Sequence, residues 1–331
     1  MAARFSLEGE CIMKLLALAL AALLFSGAAF AQTYPVKPIR TVMTIGPGGG
    51  GEAAARLIAQ KAGDALGQPM IVESHGGAAG AVGAELVARS APDGYTIAYA
   101  ISSTMILRRF LTRNTSYDTQ RDFTPIMHLG ETVACVVAGP SIPGETLAKV
   151  LDYVKRNPGK VSYGSSGIGT THHLAGVMVG KLAGAPMVHV PYKSGAQSAV
   201  DALSGRIDLA FNILGTLQPQ VAPGKLRILA INNSKRFHRL PDLPTIGEVL
   251  PGYARAPSWT GYFGPAGLPQ PIVRRLYDEL HRAATHPDTV AKLDQLGIPV
   301  ETLDPAAFTA YIRQNLEVTA KLMKTAGIEP E

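Results

Sequence analysis

Cysteine is nearly absent from this sequence: Cys11 and Cys135 are the only two in 331 residues. Cys11 lies in an N-terminal segment that we expect to be removed, so the mature chain keeps one cysteine and cannot form an internal disulfide. Cys135 stands in the apolar run of residues 133–137. A lone cysteine in such a run is typical of a small buried hydrophobic side chain, and a nucleophile is the weaker interpretation.

The sequence also lacks the patterns of several protein classes. Beyond residue 31 no apolar run is long enough to cross a membrane. The densest basic cluster, at residues 235–239, contains a single phenylalanine and is typical of a solvated surface, which argues against a nucleic-acid partner. Hydrophobic residues make up 47% of the chain and charged residues 17%, which suits two folded domains and argues against disorder. The net charge of +6 favours an anionic ligand or an acidic partner.

The N-terminus has the pattern of a secretory signal. Met13 and Lys14 precede an apolar stretch at residues 15–25, and Ala-Phe-Ala at residues 29–31 forms a small-residue cleavage site. We therefore predict cleavage after Ala31, with residues 1–12 as an upstream extension, and export of the mature chain to the periplasm. An uncleaved anchor is disfavoured because the apolar run is short for a membrane span.

The rest of the chain is organised around residues 41–66. An apolar run at residues 42–45 leads into Gly-Pro-Gly-Gly-Gly-Gly at residues 46–51, and apolar residues then follow at helical spacing. This pattern predicts a strand, a glycine loop and a helix. The glycines allow backbone N–H groups to face the positive end of the helix dipole, where an anion is stabilised. The sequence therefore predicts an anion-binding site at this loop.

Two other interpretations of the glycine loop stay open. Gly46, Gly48 and Gly51 match the dinucleotide-binding fingerprint, and Glu73 stands near the position of the ribose-binding acid. That alternative makes the protein a Rossmann-type NAD-dependent oxidoreductase. The glycines also fit a turn that only lets helix and strand pack closely. No lysine follows the glycines, so a phosphate-binding P-loop is excluded.

Strands and helices alternate through short loops, which predicts an α/β fold with parallel sheets covered on both faces. An extended apolar stretch at residues 123–138 reads as the crossing into a second domain, after which the pattern repeats. There, Gly-Ser-Ser-Gly-Ile-Gly at residues 164–169 leads into another helix. We predict two doubly wound α/β domains joined by crossing strands, with residues 32–132 and 258–331 in domain 1 and residues 133–257 in domain 2.

Two loop–helix anion sites on opposing domains describe a clamshell that grips one small acid from both sides. An enzyme would use Ser165 or Ser166 as nucleophile and His172 as base, but the G-x-S-x-G pattern is absent. A metal site at His172 and His173 is poor, because adjacent helical residues point about 100° apart. We therefore expect no catalytic residue and no metal.

Two further residues have open roles. Trp259 is the only tryptophan and lies in the second predicted crossing strand, where it either walls the cleft or packs the hinge. Asn212 ends a predicted strand at the carboxyl edge of the sheet, where ligands bind in open α/β folds. A turn-initiating asparagine is the alternative for Asn212.

A series of short motifs stands in order along the mature chain. They are Tyr-Pro-Val-Lys-Pro-Ile-Arg at residues 34–40, Gly-Pro-Gly-Gly-Gly at 46–50, Ala-Pro-Asp-Gly-Tyr at 91–95, Asn-Pro-Gly-Lys at 157–160, His-Val-Pro-Tyr-Lys at 189–193, Leu-Pro-Asp-Leu-Pro-Thr at 240–245 and Gly-Pro-Ala-Gly at 264–267. Together they make the chain resemble the substrate-binding receptors of tripartite tricarboxylate transporters, also called Bug-type periplasmic receptors. The resemblance covers essentially the whole mature chain.

The resemblance implies a Venus-flytrap protein, similar to type II periplasmic binding proteins, that works as a monomer without a cofactor. Such a receptor delivers a small carboxylate solute to the permease subunits of its transporter. In the family, the carboxylate is held by the loop before the first helix and by the serine and threonine loop of the second domain. The predicted ligand-binding residues are Gly48, Gly49, Gly50, Glu52, Ser103, Ser165, Ser166, Gly169, Thr170, Thr171, His172, Asn212 and Trp259.

The sequence departs from the family pattern at the ligand loops. Gly51 and Glu52 stand where members commonly have Ser or Thr followed by Asp, and Asn212 and Ile213 stand where many have an Asp-Asn pair. The missing acid removes a natural partner for a ligand ammonium group. This favours, as a hypothesis, a carboxylate with an uncharged or aromatic tail over an amino acid.

Overall fold

The structure is a computed structural model that describes residues 34–221, 225–328 and 330. Residues Lys37–Glu331 form one compact unit. The predicted signal peptide and its cleavage site lie outside the described residues. No helix within the described ranges has the length and apolarity that a membrane span requires.

Within the described residues, ten strands form two five-stranded sheets. The strands are β1 Ile39–Met43, β2 Met70–Ser74, β3 Thr96–Ile101, β4 Phe123–Glu131, β5 Ala134–Ala138, β6 Ser162–Ser165, β7 Val188–Pro191, β8 Leu209–Ile213, β9 Arg227–Ile231 and β10 Trp259–Pro265. The helices are α1 Gly50–Leu66, α2 Ala81–Ala88, a π-helical turn Ser103–Leu107, α3 Arg108–Leu111, α4 Leu147–Arg156, α5 Thr171–Leu182, α6 Gly195–Leu203, α7 Leu214–Val221, α8 Ile246–Val249, α9 Gln270–Thr285, α10 Pro287–Gln295 and α11 Pro305–Ala326.

The two sheets have the same mixed topology. The first has the order β2-β1-β3-β10-β4, with β1 parallel to β2 and β3, and β10 antiparallel to its neighbours. The second has the order β7-β6-β8-β5-β9, with β6 parallel to β7 and β8, and β5 antiparallel to its neighbours. The predicted fold of two α/β sheets with crossing strands is confirmed.

The chain passes between the sheets at β4 and β5. Strand β4 ends at Glu131 in the first sheet, and β5 begins at Ala134 in the second. The chain returns to the first sheet in β10, which begins at Trp259. The predicted domain boundaries at residues 132/133 and 257/258 coincide with these passages, although the division into two domains stays a prediction.

Local sequence explains where the helices begin and end. Helix α1 ends at Gly67, which has a left-handed φ of 71° and donates its N–H to the Gly63 and Asp64 carbonyls. Glycine adopts that conformation without steric cost. Helix α11 begins at Asp304, whose side chain accepts a hydrogen bond of 2.8 Å from the Ala307 N–H. Pro305 at the first helical position loses no hydrogen bond there.

Each sheet has an aromatic core. Trp259, Phe263 and Phe308 are buried on the first sheet, and Tyr163 and Phe211 on the second. Burial of such side chains is the main favourable contribution to folding. The lone cysteine is buried in β5, and burial raises the pKa of Cys135 to about 12. The prediction of a small buried hydrophobic side chain at Cys135 is therefore confirmed.

Candidate ligand-binding site

A cleft with a cavity volume of ≈ 70 Å³ lies between the loops of the two sheets. Its lining follows the carboxyl ends of the parallel strands. Thr44 and Ile45 follow β1, Ser166 follows β6, and Lys193 and Ser194 follow β7. Loops at the carboxyl ends of parallel strands are where ligands bind in open α/β folds. The fold therefore places the cleft where a ligand site is expected.

The structure brings just over half of the predicted residues to this cleft. Those that line it are Gly48, Gly49, Glu52, Ser166, Thr170, His172 and Asn212. Those that do not are Gly50, Ser103, Ser165, Gly169, Thr171 and Trp259. Several of the second group support the loops that carry the first.

The first turns of four helices converge on the cleft. Glu52 of α1, His172 of α5, Gly195 of α6 and Thr216 of α7 all line it. At α1 and α6 the N-cap residues, Gly49 and Ser194, provide no capping hydrogen bond from a side chain. The first N–H groups of a helix carry partial positive charge and need acceptors. The cleft is therefore suited to an anion.

The glycine loop allows the two sides of the cleft to approach closely. Gly49 has a φ of 136°, and a Cβ atom built there would lie 2.7 Å from the Thr216 Oγ1. The Gly50 N–H donates to the same oxygen at 3.4 Å. A Cβ on Gly46 would lie 2.6 Å from the Lys193 carbonyl oxygen. A larger side chain at Gly46 or Gly49 would force the two sides apart.

Glu52 is the one carboxylate among the described residues that line the cleft. Its Oε2 accepts from the Gly48 N–H at 2.7 Å, and its Oε1 accepts from Arg56 at 2.6 Å and 2.8 Å. These bonds, first that from Gly48, lower the pKa of Glu52. Its negative charge is thus compensated, and the side chain holds the glycine loop against α1.

The loop between β6 and α5 contributes hydroxyl groups and a neutral imidazole. Thr170 caps α5 by accepting from the His173 N–H at 3.2 Å, and its own hydroxyl donates to the Gly167 carbonyl at 2.7 Å. His172 lies with its Nδ1 2.8 Å from the Ser166 Oγ. Burial lowers the pKa of His172 to about 4, so the ring is uncharged at neutral pH.

Ser165 is fully buried beneath the loop and does not reach the cleft. Its Oγ lies 2.7 Å from the His189 Nε2, and the His189 ring stacks on His173 with centroids 4.1 Å apart. Burial first, and His173 second, lower the pKa of His189 to about 4. A serine without access to the cleft cannot attack a substrate there, so Ser165 supports the loop.

Ser103 connects the two sides of the cleft instead of lining it. It lies just after β3 of the first sheet, whereas Thr171 begins α5 on the second. The Thr171 N–H donates to the Ser103 Oγ at 3.0 Å, and the Ser103 hydroxyl donates to the Thr171 Oγ1 at 3.4 Å. Both residues are buried. This pair is a buried hydrogen-bonded contact between the sheets.

Asn212 lines the cleft and also fixes the start of α6. Its Oδ1 accepts from the Ile213 N–H at 2.8 Å, and its Nδ2 donates to the Ser198 Oγ at 3.3 Å. A Cβ on Gly195 would lie 2.3 Å from the Asn212 amide. The amide thus packs directly against the first turn of α6.

Trp259 belongs to the core. It is 1% exposed, and its indole N–H donates to the Asn315 Oδ1 at 2.8 Å. It packs with Phe263 and Phe308. Trp259 does not line the cleft and packs at the start of β10, where the chain returns from the second sheet, so its position agrees with packing at the crossing and not with a wall of the cleft.

Sequence reasoning did not assign Lys193, Ser194 and Thr216 to the site. Lys193 is the one lysine or arginine among the described residues that line the cleft. It ends the motif His-Val-Pro-Tyr-Lys, and this motif is the sequence feature from which its place in the site could have been predicted. Thr216 carried no such signal, since it lies in a helix that the apolar pattern does not predict.

The acid of the dinucleotide alternative, Glu73, has other partners. Glu73 accepts from the Arg40 Nε at 2.7 Å and contacts the His75 Nε2 at 3.3 Å. Glu73 is not among the residues that line the cleft. Within the described residues, no group of three histidine, cysteine, aspartate or glutamate side chains could hold a metal ion.

Comparison with known proteins decides the family. The model of the tripartite tricarboxylate transporter family receptor, TctC, matches residues 54–328. The chain belongs to this receptor family. A UPF0065 protein of a Pseudomonas species is 32% identical over 88% of this chain and 87% of its own length.

Solved structures agree with this family assignment. The periplasmic binding protein BugD is 31% identical, with a TM-score of 0.84 over 90% of this chain and 100% of its own. An R. palustris protein solved with adipate is 29% identical, with a TM-score of 0.85 over 90% of this chain and 100% of its own. Membership of this TctC family supports the solute receptor and not the dehydrogenase alternative.

Proposed function

We propose that this receptor captures a small carboxylate in the cleft between its two sheets, in the periplasm, and delivers it to the permease subunits of a tripartite transporter. The observation that carries the proposal is the convergence of four helix N-termini, from α1, α5, α6 and α7, on one cleft. Adipate in the structure of the R. palustris relative supports a carboxylate as the ligand class. The function is one of binding, and no side chain is assigned a catalytic role.

The charges of the cleft favour an anion over a zwitterion. Glu52 is held by Gly48 and Arg56 and is not free to pair with a ligand ammonium group. Lys193 adds a positive charge, and Asn212 is occupied by Ser198 and Ile213. A free amino acid would therefore place its ammonium group without an anionic partner. This supports the hypothesis that amino acids are not the solute.

A thermal-shift screen tests the proposal. The exported chain, stripped of retained solute by unfolding and refolding, is mixed with mono-, di- and tricarboxylates, amino acids and NAD. A ligand that binds the folded state raises the melting temperature. We expect stabilisation by one carboxylate class and none by NAD. Stabilisation by NAD or amino acids alone would overturn the proposal.

The mass of the exported chain tests the signal peptide, because cleavage after Ala31 leaves a chain that begins at Gln32.

Replacing Lys193 by glutamine is expected to weaken dicarboxylates more than monocarboxylates. A buried hydrogen bond to a charged group contributes about 1.5–3 kcal/mol to binding. Lys193 is exposed, so its contribution is smaller, and we expect the affinity to fall roughly fivefold to tenfold. Calorimetric titration of both solute classes measures the difference. The control is Lys155→Gln, which removes a charge from an exposed residue of α4. Equal behaviour of the two variants would exclude Lys193 as a contact.

Replacing Ser103 by alanine is expected to favour the open form of the receptor. The contact joins the two sheets as they stand in this structure, which we take as the closed form, so leaving the buried Thr171 N–H without its acceptor costs that form about 1–3 kcal/mol. Since solute binds the closed form, the apparent affinity falls by about tenfold. Small-angle scattering of the solute-free protein should show a larger radius of gyration. The control Ser204→Ala, which removes a local bond to the Asp201 carbonyl, should change neither quantity.

A further inference from the structure

His172, which lines the cleft, has an unpartnered polar atom. The residue is 7% exposed and lines the cleft, and its Nδ1 lies 2.8 Å from the Ser166 Oγ. Its Nε2 is buried and has no hydrogen-bond partner among the described residues. A buried polar nitrogen without a partner is unfavourable. A bound solute can provide the missing hydrogen bond.

The contact between the Ser166 hydroxyl and the His172 Nδ1 fits two tautomers of the neutral ring. When Ser166 donates and Nδ1 accepts, the proton of the ring is on Nε2. In that tautomer the unpartnered atom is an N–H donor.

The geometry points to His172 as the specificity-determining residue of the cleft, where its Nε2–H donates to an acceptor oxygen of the solute and rejects an ammonium or other donor at that position. Ser166 is the positioning residue that fixes the tautomer. This inference rests on the proposed carboxylate function and assigns one oxygen of the solute to one atom of the protein.

The ionisable groups around the cleft do not replace this donor. Glu52 is an acceptor whose two oxygens are engaged by Gly48 and Arg56. Lys193 is exposed and carries its charge on a flexible side chain, so it attracts anions without fixing their orientation. His173, next in α5, has its Nδ1 3.4 Å from the Gly169 N–H, from which it accepts. A rigid, neutral and directional donor is thus the contribution of His172.

Nitrogen NMR of the full exported chain with labelled histidine tests the tautomer without any solute. The His172 resonances are assigned by their loss in His172→Gln. We expect the neutral form with the proton on Nε2 at pH 7, and a mixture of tautomers in Ser166→Ala. A wild-type ring with its proton on Nδ1, or a charged ring, would overturn the inference.

Calorimetry with acetate, succinate, malate and adipate tests the contact itself. His172→Leu is expected to bind the preferred acid about 10- to 100-fold more weakly, because a hydrogen bond to a charged group is lost. His172→Gln keeps an N–H donor of similar reach and should stay within about threefold of the wild type. His238→Gln, at an exposed histidine on the surface, should bind like the wild type.

The outcomes of this experiment separate the two proposals. If no acid binds the wild type, the proposed function fails. If the wild type binds and His172→Leu binds equally well, only the assignment of His172 fails. If the leucine and glutamine variants are equally weak while both melt near the wild-type temperature, His172 acts through packing, and the donor role is overturned.

Discussion

Replacing Gly49 by valine is expected to weaken solute binding by at least about 100-fold while the protein stays folded. Gly49 has a φ of 136° and a ψ of 176°, a backbone region that is essentially restricted to glycine and costs other residues on the order of 1–3 kcal/mol. A Cβ there would also lie 2.7 Å from the Thr216 Oγ1. The loop must move, which displaces the N-terminus of α1 from the cleft.

Gly67→Val is the matched control for this change. Gly67 ends the same helix, also has a positive φ, and has open space around it. It should lower the melting temperature without changing the affinity. Calorimetric titration at a temperature where both variants are folded measures the difference. Wild-type affinity in Gly49→Val would show that the glycine loop is only a packing turn, the interpretation that the sequence left open.

Replacing Trp259 by alanine is expected to reduce the free energy of unfolding by about 3–5 kcal/mol, as for other large-to-small changes at buried aromatic residues. The indole is 1% exposed, contacts Phe263 and Phe308, and donates to Asn315. Its removal leaves a cavity and a buried amide without its donor. Denaturant unfolding measures the loss.

The affinity of the folded fraction for the solute should not change in Trp259→Ala, because Trp259 does not line the cleft. Trp259→Phe, which keeps an aromatic ring but loses the bond to Asn315, should be destabilised less. A variant with nearly normal stability and strongly weakened binding would instead identify Trp259 as a wall of the cleft.

The elements with strong local signals could be predicted from the sequence. Helix α11 follows from such signals, because Asp304 and Pro305 start it and Gly327 terminates it. Strand β1, the glycine loop and α1 follow from an apolar run, a glycine run and helical spacing. These signals are local in sequence, so they can be recognised without knowledge of tertiary contacts.

Two helices show different reasons for incomplete prediction. Helix α4 is absent from the predicted elements although Leu147, Val150 and Val154 have helical spacing and bury one face. Its signal was present in the sequence. Helix α7 contains Gly215 and Pro219, which are both poor helix formers. Its formation depends on tertiary contacts, such as the packing of Gly215 against the Leu296 carbonyl.

The candidate site was predictable only in part, for a similar reason. Gly48, Gly49 and Thr170 lie in loops whose composition indicates an anion site. Lys193 reaches the cleft because its loop packs against Gly46, which is distant in sequence. Ser103 and Thr171 are likewise brought together by the approach of the two sheets. No local pattern in the sequence predicts contacts between residues that are so far apart along the chain.

The central claim is that the cleft recognises the negative charge of a carboxylate, and calorimetric titration tests it most directly. The carboxylate that stabilises the protein most is compared with its primary amide, which has nearly the same shape and no charge. We predict that the amide binds at least about 100-fold more weakly, since helix N-termini, Lys193 and the His172 donor all favour an anionic acceptor. Equal affinity for the acid and the amide would contradict the account.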